Sequence, residues 1–187
     1  MRVILASASK RRKQILEDLN YQVIVSLLND VDETSSKHEV SQQVLEICHK
    51  KATAIKISSE SPVIVSDTML EDPDDESIAL GKPHDSVQAA MMLHKLSGRR
   101  HRVWTATGLY VNQEWKFFLE SSIVEVQSLT DQVLVDLVLS ESWKGKAGGY
   151  DLAGPMANHA ELVDGFESTV LGIASEALTE LASLDDY

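Results

Sequence analysis

Residues 2–19 constrain the fold more than any other part of the sequence, because they predict a buried strand that passes through a short polar turn into a helix. The apolar run 3–6 is typical of a buried strand. Beyond it, Ile15, Leu16 and Leu19 recur at helical spacing, and Ser9 is a favourable residue to cap the helix N-terminus. Strand and helix segments also alternate along the rest of the chain.

Four consecutive cations occupy the predicted first turn of this helix, in the run Lys10-Arg11-Arg12-Lys13. The partial positive charge of a helix N-terminus repels cations. An anion bound at the turn would offset this repulsion, because backbone amides, serine hydroxyls and guanidinium groups would all face it. A basic first turn that is simply solvated is the alternative, and the turn alone leaves both interpretations open.

Composition indicates one domain in which the clustered cations stand out locally. The chain has 187 residues, of which 43% are hydrophobic, and a net charge of −12, which argues against general binding of nucleic acid. No apolar run approaches the length of a membrane span, and the N-terminus lacks the apolar core of a signal peptide. The single cysteine, Cys48, excludes an internal disulfide and fits a reducing, cytoplasmic location. Because it lies on a helical apolar stripe, we expect it in the core.

Two acidic positions are candidates for function. Residues 29–33 form an acidic loop, for which a solvated turn is the default interpretation. Asp67 directly follows the apolar run 62–66, which predicts an inner strand. A carboxylate at the carboxyl end of such a strand is well placed to meet a ligand, because open α/β sheets bind ligands there. An Asx turn that closes the strand would account for Asp67 equally well.

Lysine and glycine residues supply further candidates. Lys51 projects from the apolar face of a predicted helix over 38–57, so it either snorkels past the core edge or reaches into a cleft. The turn 80–83 contains glycine and proline and would hold Lys82 in one place. The glycine-rich segment 143–150 is either a loop with positive φ angles or a place where a ligand approaches the backbone. Tyr150 would then offer a ring and a hydroxyl group.

The remaining elements have clear boundaries in the sequence. A helix is expected near 86–96, with a cap at Asp85 or Ser86 and an end at Gly98. Residues 101–111 and 115–126 predict two strands of a hairpin, and His101 at the start of the first is expected to be structural. Helices are predicted over 131–139 and up to about residue 182.

Short motifs in order along the chain resemble the Maf-like nucleoside triphosphate pyrophosphatases. The opening Leu5-Ala6-Ser7-Ala8-Ser9-Lys10-Arg11-Arg12 is similar to the family signature L-A-S-x-S-P-R-R, with Lys10 in the place of proline. The family motifs V-D-E, K-A, A-D-T, L-G-K-P and K-A-G-x-Y are matched at 31–33, 51–52, 66–68, 80–83 and 146–150. Ser66 replaces the alanine of A-D-T, and Ala153 replaces a glutamine of the family. The resemblance covers nearly the whole chain, from Leu5 to Gly172.

The resemblance implies a fold and a reaction. The fold would be an α/β domain spanning 1–187, elongated and two-lobed, with a mixed, bent β-sheet flanked by helices and a central cleft, as in Maf and Ham1 proteins. The reaction would be hydrolysis of a nucleoside triphosphate to the monophosphate and pyrophosphate, in a housecleaning role or in the arrest of cell division. A non-catalytic nucleotide-binding regulator of cell division is the alternative, although a pure binder does not need an aspartate beside the phosphates.

The resemblance also assigns roles to residues. Asp67 would be the general base, and Glu33 and Asp67 would hold a divalent cation, Mg²⁺ or Mn²⁺. Contacts with the substrate would come from Ser9, Arg11, Arg12, Lys51, Thr68, Lys82, Tyr150 and position 153. The partner would be the triphosphate, with neither nucleic acid nor membrane, and a homodimer is common in the family. An arginine at position 11 goes with dTTP and UTP in the family, but Ala153 lacks the amide of the family's glutamine, so we expect a shallow base preference.

Overall fold

The computed structural model describes residues 1–57 and 60–184. Residues 58–59 and 185–187, which the predicted domain 1–187 includes, lie outside the described residues. The strands are β1 Arg2–Leu5, β2 Gln22–Val25, β3 Val63–Asp72, β4 Asp75–Leu80, β5 Arg100–Val111, β6 Glu114–Val126 and β7 Ala160–Asp164. The helices are α1 Lys10–Asp18, α2 Val40–Ala54, α3 Ser86–Leu96, α4 Asp131–Leu139, α5 Glu167–Leu171 and α6 Ser175–Ala182.

The described strands form one mixed sheet in the order β2-β1-β3-β5-β6-β7, and β4 pairs with β3 outside this row. β1 runs parallel to both β2 and β3, whereas the other pairs are antiparallel. This mixed sheet with flanking helices confirms the predicted α/β class. Among residues 1–57 and 60–184, no helix has both the length and the hydrophobicity that crossing a bilayer requires.

The long strands β3 and β5 connect three clusters of buried apolar residues. One cluster contains Leu5 of β1 and Leu16 of α1 together with Ile64 of β3. A second lies beneath α2, where Cys48 is fully buried as expected. The third gathers side chains of α3, α4 and the far ends of β3 and β5, including Leu70. Because one pair of strands contributes to every cluster, the sheet fixes the relative positions of the helices on which the site depends.

Most predicted elements have the expected bounds. The helix over 131–139 is confirmed, and the hairpin of β5 and β6 turns at Asn112 and Gln113, whose φ angles of 52° and 65° are typical of a two-residue turn. Asp85 caps α3 by accepting a hydrogen bond from the backbone N–H of Gln88 at 2.8 Å. The helix predicted over 38–57 is shorter, Val40–Ala54, because the backbone becomes extended at Ile55.

The prediction that a strand ends just before Asp67 is wrong, and so is the Asx turn. β3 continues to Asp72, and Asp67 lies opposite Ala106 of β5 in the antiparallel ladder. On the other edge of β3, β1 pairs only as far as Ile64, and β4 begins to pair at Leu70. The β3 edge between these two positions has no neighbouring strand among the described residues. Asp67 therefore lies at a gap in the sheet rather than at the end of a strand.

Glu120 of β6 caps the N-terminus of α6. Its carboxylate accepts hydrogen bonds from the backbone N–H groups of Ser175 and Glu176, both at 2.7 Å, and from the hydroxyls of Ser175 and Thr169 at 2.9 and 2.7 Å. Burial alone would raise the pKa of Glu120, but these hydrogen bonds outweigh burial and hold the pKa below the ordinary glutamate value. The ionised carboxylate therefore stabilises the folded chain.

We predict that Glu120→Gln lowers the free energy of unfolding at pH 7 by about 1–2 kcal/mol, the usual effect of losing a helix cap. In the wild type the contribution is complete above the unfolded pKa, about 4.3, and is lost as the pH falls through the lower folded pKa. Urea unfolding at pH 7 and at successively lower pH values measures both effects. Glu114→Gln, an exposed position on the same strand, is the control. Equal stability of the two variants at pH 7 would contradict the cap.

Candidate active site

A cleft of about 950 Å³ opens where β3 has no neighbouring strand, a size typical of ligand pockets. Its walls come from the β1–α1 turn, the segment 27–33, one residue of α2, β3, the turn after β4 and the segment 144–151. The predicted site residues that line it are Ser9, Arg11, Arg12, Glu33, Lys51, Asp67, Thr68, Lys82 and Tyr150. The fold thus brings together residues that are far apart in the sequence.

The N-terminus of α1 faces this cleft with the predicted arrangement of charges. Ser9 is the cap residue, and its hydroxyl accepts a hydrogen bond from the backbone N–H of Arg12 at 3.4 Å. Four cations begin the helix, and its first turn contains no acidic residue. Because the helix dipole makes this end positive, the cleft concentrates positive charge from both the side chains and the backbone.

Arg12 is held by three hydrogen bonds to other parts of the chain. Its Nε donates to the carbonyl oxygen of Gly172 at 2.8 Å, Nη1 to the hydroxyl of Ser7 at 3.1 Å, and Nη2 to the hydroxyl of Thr68 at 3.0 Å. Burial lowers the pKa of Arg12, and the negative charge of Asp67 opposes this shift. Three of the five N–H donors are thus used, and two remain for a ligand.

Lys51 lies between the two carboxylates that the resemblance assigns to a metal. Its Nζ is 2.8 Å from Oε1 of Glu33 and 2.7 Å from Oδ1 of Asp67, and the side chain is buried. Burial alone would raise the pKa of Glu33, but the hydrogen bond from Lys51 and the charges of Lys51, Lys82 and Arg12 lower it. Lys51 therefore reaches into the cleft rather than snorkelling to the surface.

The two carboxylates that contact Lys51 are compatible with a divalent cation. Within residues 1–57 and 60–184, no group of three or more His, Cys, Asp or Glu side chains could hold a metal. Glu33 and Asp67 nevertheless converge on one cationic nitrogen, so both carboxylates are within reach of a common positive charge. Mg²⁺ is commonly bound by one or two carboxylates together with phosphate oxygens of the substrate. The two carboxylates fit this type of site.

Of the predicted contact residues, Tyr150 is largely buried in the wall of the cleft, and Ala153 lies outside the cleft lining. Tyr150 is only 4% exposed, and its hydroxyl is 2.7 Å from Nε2 of His101. Burial raises the pKa of Tyr150 and lowers the pKa of His101 to about 4, so this pair is uncharged at neutral pH. His101 therefore supports the wall of the cleft from inside the core. Ala153 is exposed and is not among the residues that line the cleft.

The charged residues of the cleft that were not predicted include Asp151 and Lys146. Asp151 accepts a hydrogen bond from Nη1 of Arg11 at 3.5 Å, and its other oxygen is 3.0 Å from Nζ of Lys146. Lys146 opens the K-A-G-x-Y motif and could have been identified from it. Asp151 occupies a position that this motif does not specify, so only the fold shows that it faces Arg11.

The glycine-rich segment owes its composition to backbone geometry. Gly145, Gly148 and Gly149 have φ angles of 70°, 68° and 75°, a region that favours glycine. A Cβ atom at Gly148 would lie 2.3 Å from Cδ2 of Leu70, so a side chain there would displace the buried Leu70. The loop interpretation of this segment is confirmed, and the same tight path places Lys146 and Asp151 on the cleft wall.

Comparison with known proteins identifies the family. The family described as Maf-like protein matches residues 2–183. The chain belongs to the Maf-like family. A Maf-like relative from Roseobacter denitrificans, named dTTP/UTP pyrophosphatase, is 34% identical over 97% of this chain and 94% of its own length. A relative of the same name from Pyrococcus abyssi is 30% identical over 97% of this chain and 95% of its own length.

Solved structures agree with this assignment at the level of the fold. The Ham1 protein of Staphylococcus aureus has a TM-score of 0.51 and 16% identity, over 100% of this Maf-like chain and 98% of that chain. The HAM1 protein of Coxiella burnetii has a TM-score of 0.52 and 15% identity, over 100% of this chain and 98% of its own. The Maf-like chain thus shares the predicted Ham1-like fold.

One departure from the Maf-like motifs has a structural explanation. Ser66, in the place of the alanine of A-D-T, is fully buried, and its hydroxyl lies 2.7 Å from the carbonyl oxygen of Gly172 and 2.9 Å from that of Ala106. The carbonyl of Gly172 also accepts the hydrogen bond of Arg12. A Cβ atom at Gly172, where φ is 111°, would lie 2.7 Å from Nε of Arg12. Ser66 thus adds a second contact to the carbonyl that positions Arg12.

We predict that the two arginines of this Maf-like protein differ in their effect on stability without ligand. Arg12→Ala should lower the free energy of unfolding by about 2 kcal/mol or more, since a hydrogen bond from a charged donor contributes about 1.5–3 kcal/mol. Arg11→Ala should change it by less than about 1 kcal/mol, because it makes one long ion pair and its removal relieves repulsion at the helix N-terminus. Urea unfolding of both variants measures the difference. A larger loss for Arg11→Ala would contradict this assignment.

Proposed function

We propose that this protein hydrolyses nucleoside triphosphates to the monophosphate and pyrophosphate. The observation that carries the proposal is the pairing of Asp67 and Glu33 with Lys51 in a cleft that also receives the cationic start of α1. Phosphoryl chemistry needs positive charge around the phosphates, a positioned water and an acceptor for its proton. These side chains can supply each of the three.

The phosphates would bind at the N-terminus of α1. Ser9 and Lys82 also line the cleft, and Arg12 retains two N–H donors for phosphate oxygens. Because Arg12 is already held by Gly172, Ser7 and Thr68, binding would cost little side-chain entropy. Free backbone N–H groups of the first helical turn would add to the charge complementarity.

Asp67 would act as the general base. Its Oδ1 accepts the hydrogen bond of Lys51, while Oδ2 has no hydrogen-bond partner among the residues that the structure describes. Oδ2 can therefore orient a water molecule and take one of its protons as the water oxygen attacks the α-phosphorus. The bond between the α- and β-phosphates then breaks, and pyrophosphate leaves with the bonding electron pair. The proton passes from Asp67 to solvent afterwards.

A divalent cation held by Glu33 and Asp67 would neutralise charge on the phosphates. Lys51 already occupies the space between the two carboxylates with a positive charge, so it can keep them close to each other without a metal. With substrate present, its Nζ would be close enough to the phosphates to contribute a further charge.

The base preference, location and assembly remain parts of the proposal. Arg11 at the start of α1 and the relatives named dTTP/UTP pyrophosphatase support thymidine and uridine triphosphates as substrates. The buried free thiol of Cys48, whose pKa burial raises to about 12, supports a reducing cytoplasmic location. We also propose that the protein cleans the nucleotide pool or arrests cell division, and that it forms a homodimer, as the resemblance to the family implies.

The direct test is incubation of the purified protein with a panel of nucleoside triphosphates and Mg²⁺, followed by detection of pyrophosphate. We expect pyrophosphate and monophosphate in equal amounts. Binding of triphosphate without any product would instead support the non-catalytic regulator.

We predict that Asp67→Asn lowers kcat by about 10²–10⁴-fold, the usual effect of losing a general base. Triphosphate binding, measured by calorimetry, should persist, because the amide keeps the size of the side chain and the cationic contacts remain. Asp164→Asn, an exposed position outside the cleft lining, is the control and should retain full activity. Retention of more than about half of the activity by Asp67→Asn would exclude it as the base on the same scale.

We predict that Glu33→Gln raises the Mg²⁺ concentration needed for half-maximal activity by about tenfold, equivalent to about 1.4 kcal/mol. The physical reason is that an amide is a weaker ligand for a hard cation than a carboxylate. Titration of Mg²⁺ at saturating nucleotide measures the shift. Glu46→Gln, outside the cleft lining, is the matched control. An unchanged Mg²⁺ requirement would remove Glu33 from the metal site.

A further inference from the structure

A carboxylate between two cations lies on the cleft wall formed by residues 144–151. Oδ1 of Asp151 is 3.5 Å from Nη1 of Arg11, and Oδ2 is 3.0 Å from Nζ of Lys146. The Asp151 side chain is only 15% exposed, and those of Arg11 and Lys146 are 23% exposed, so all three are largely shielded from bulk water. Their donors and acceptors therefore have a fixed arrangement.

The three side chains retain capacity for a ligand. The carboxylate of Asp151 accepts hydrogen bonds from Arg11 and from the backbone N–H of Ala153, the latter at 3.2 Å, and forms an ion pair with Lys146, whereas a carboxylate offers about four acceptor sites. Nε of Arg11 is buried and has no hydrogen-bond partner among the described residues. Nζ of Lys146 also donates to the carbonyl of Ser142 at 3.4 Å and has a third donor. A buried donor without a partner is costly, which favours a polar ligand here.

Read across the cleft wall, these groups present a donor, an acceptor and a donor. Uracil and thymine present the complementary pattern along one edge of the ring, since the N3–H donor lies between the O2 and O4 acceptors. We propose that Arg11, Asp151 and Lys146 read this edge, with Asp151 accepting the hydrogen bond from N3–H and the two cations donating to the carbonyl oxygens. This inference rests on the proposed function and assigns its base-recognition residues.

Other bases match the three groups less well. Cytosine has an unprotonated nitrogen at N3, and its lone pair would face the carboxylate of Asp151. Guanine offers N1–H to the carboxylate, but its exocyclic amino group would then meet one of the cations. A buried polar group left without a partner is what makes such sites selective, so both bases should bind less tightly than uracil.

The fold explains why this chain uses Asp151 and not position 153. Ala153 lies outside the cleft lining and has no side-chain donor or acceptor. Asp151 lies two residues earlier, directly after the glycine-rich segment 143–150, and lines the cleft. A carboxylate at Asp151 therefore supplies an acceptor on the cleft wall that position 153 cannot supply.

The test first changes the ligand and leaves the protein intact. Calorimetry would compare the Kd values of α,β-imido analogues of UTP, CTP and 3-methyluridine triphosphate, the last of which lacks the N3–H. We expect the uridine analogue to bind the wild type at least about tenfold more tightly than either other analogue, equivalent to about 1.4 kcal/mol. Equal affinity for all three would overturn the inference without any variant.

Asp151→Asn then tests the carboxylate itself. An asparagine amide can donate to N3 of cytosine, so the preference for the uridine over the cytidine analogue should fall to within about threefold, or less than about 0.7 kcal/mol. Asp30→Asn removes the same charge from another residue of the cleft lining and should leave the wild-type preference unchanged. An unchanged preference in Asp151→Asn, with a normal unfolding transition, would also overturn the inference.

Measurement of pyrophosphate release from UTP by the same protein preparations separates this inference from the proposed function. Selective binding without pyrophosphate from UTP would leave the base-reading assignment intact and contradict the proposed reaction. Pyrophosphate release without selectivity among the analogues would support the reaction and overturn the role of Asp151.

Discussion

The hydrogen bonds of Arg12 hold the separate parts of the site in one arrangement. The guanidinium group joins α1 to β3 through Thr68 and to the chain after α5 through the carbonyl of Gly172. These segments are far apart in the sequence, and each also contributes to the walls or the support of the cleft. A planar group with five fixed donors can make such contacts simultaneously, which a lysine at this position could not do. A side chain at Gly172 would collide with the same guanidinium group, and Ser66 contacts the Gly172 carbonyl to which Arg12 donates.

The second constraint is the mismatch in strand lengths along one edge of β3. β1 is four residues long and stops pairing at Ile64, whereas β3 is ten residues long and is supported along its other edge by β5. The unpaired stretch of β3 that results contains Asp67 and Thr68, which line the same cleft as the N-terminus of α1. The carboxylate of Asp67 thus lies in the middle of a strand and still lines the cleft, because the neighbouring strand is missing there among the residues that the structure describes.

Much of the site could be predicted from local sequence. The cap at Ser9, the four cations of α1 and the apolar face around Lys51 all depend on residues close together in the chain, and each was confirmed. The motif resemblance added Glu33 and Lys82, which line the same cleft. The sequence therefore predicts a residue of the site where the position of its side chain follows from helix periodicity or from a motif.

The remaining features depend on contacts between distant segments. The length of β3 is set by its ladder with β5, which the apolar run 62–66 does not show. Asp151 lies opposite Arg11 because the glycines of the preceding segment turn the backbone through positive φ angles. No pattern at position 151 indicates that contact. The hydrogen bond between Tyr150 and His101 likewise joins two elements that sequence spacing does not relate.

The N-termini of α1 and α6 differ in how their positive charge is offset. Glu120 neutralises that of α6, whereas α1 has no acidic residue in its first turn. An anion bound at α1 would supply the missing negative charge, and the folded state would gain stability with the logarithm of the ligand concentration once that concentration exceeds Kd. At a ligand concentration of 100 Kd this linkage amounts to about 2.7 kcal/mol. The lifetime of the protein in a cell would accordingly rise with the concentration of any ligand that binds in the cleft.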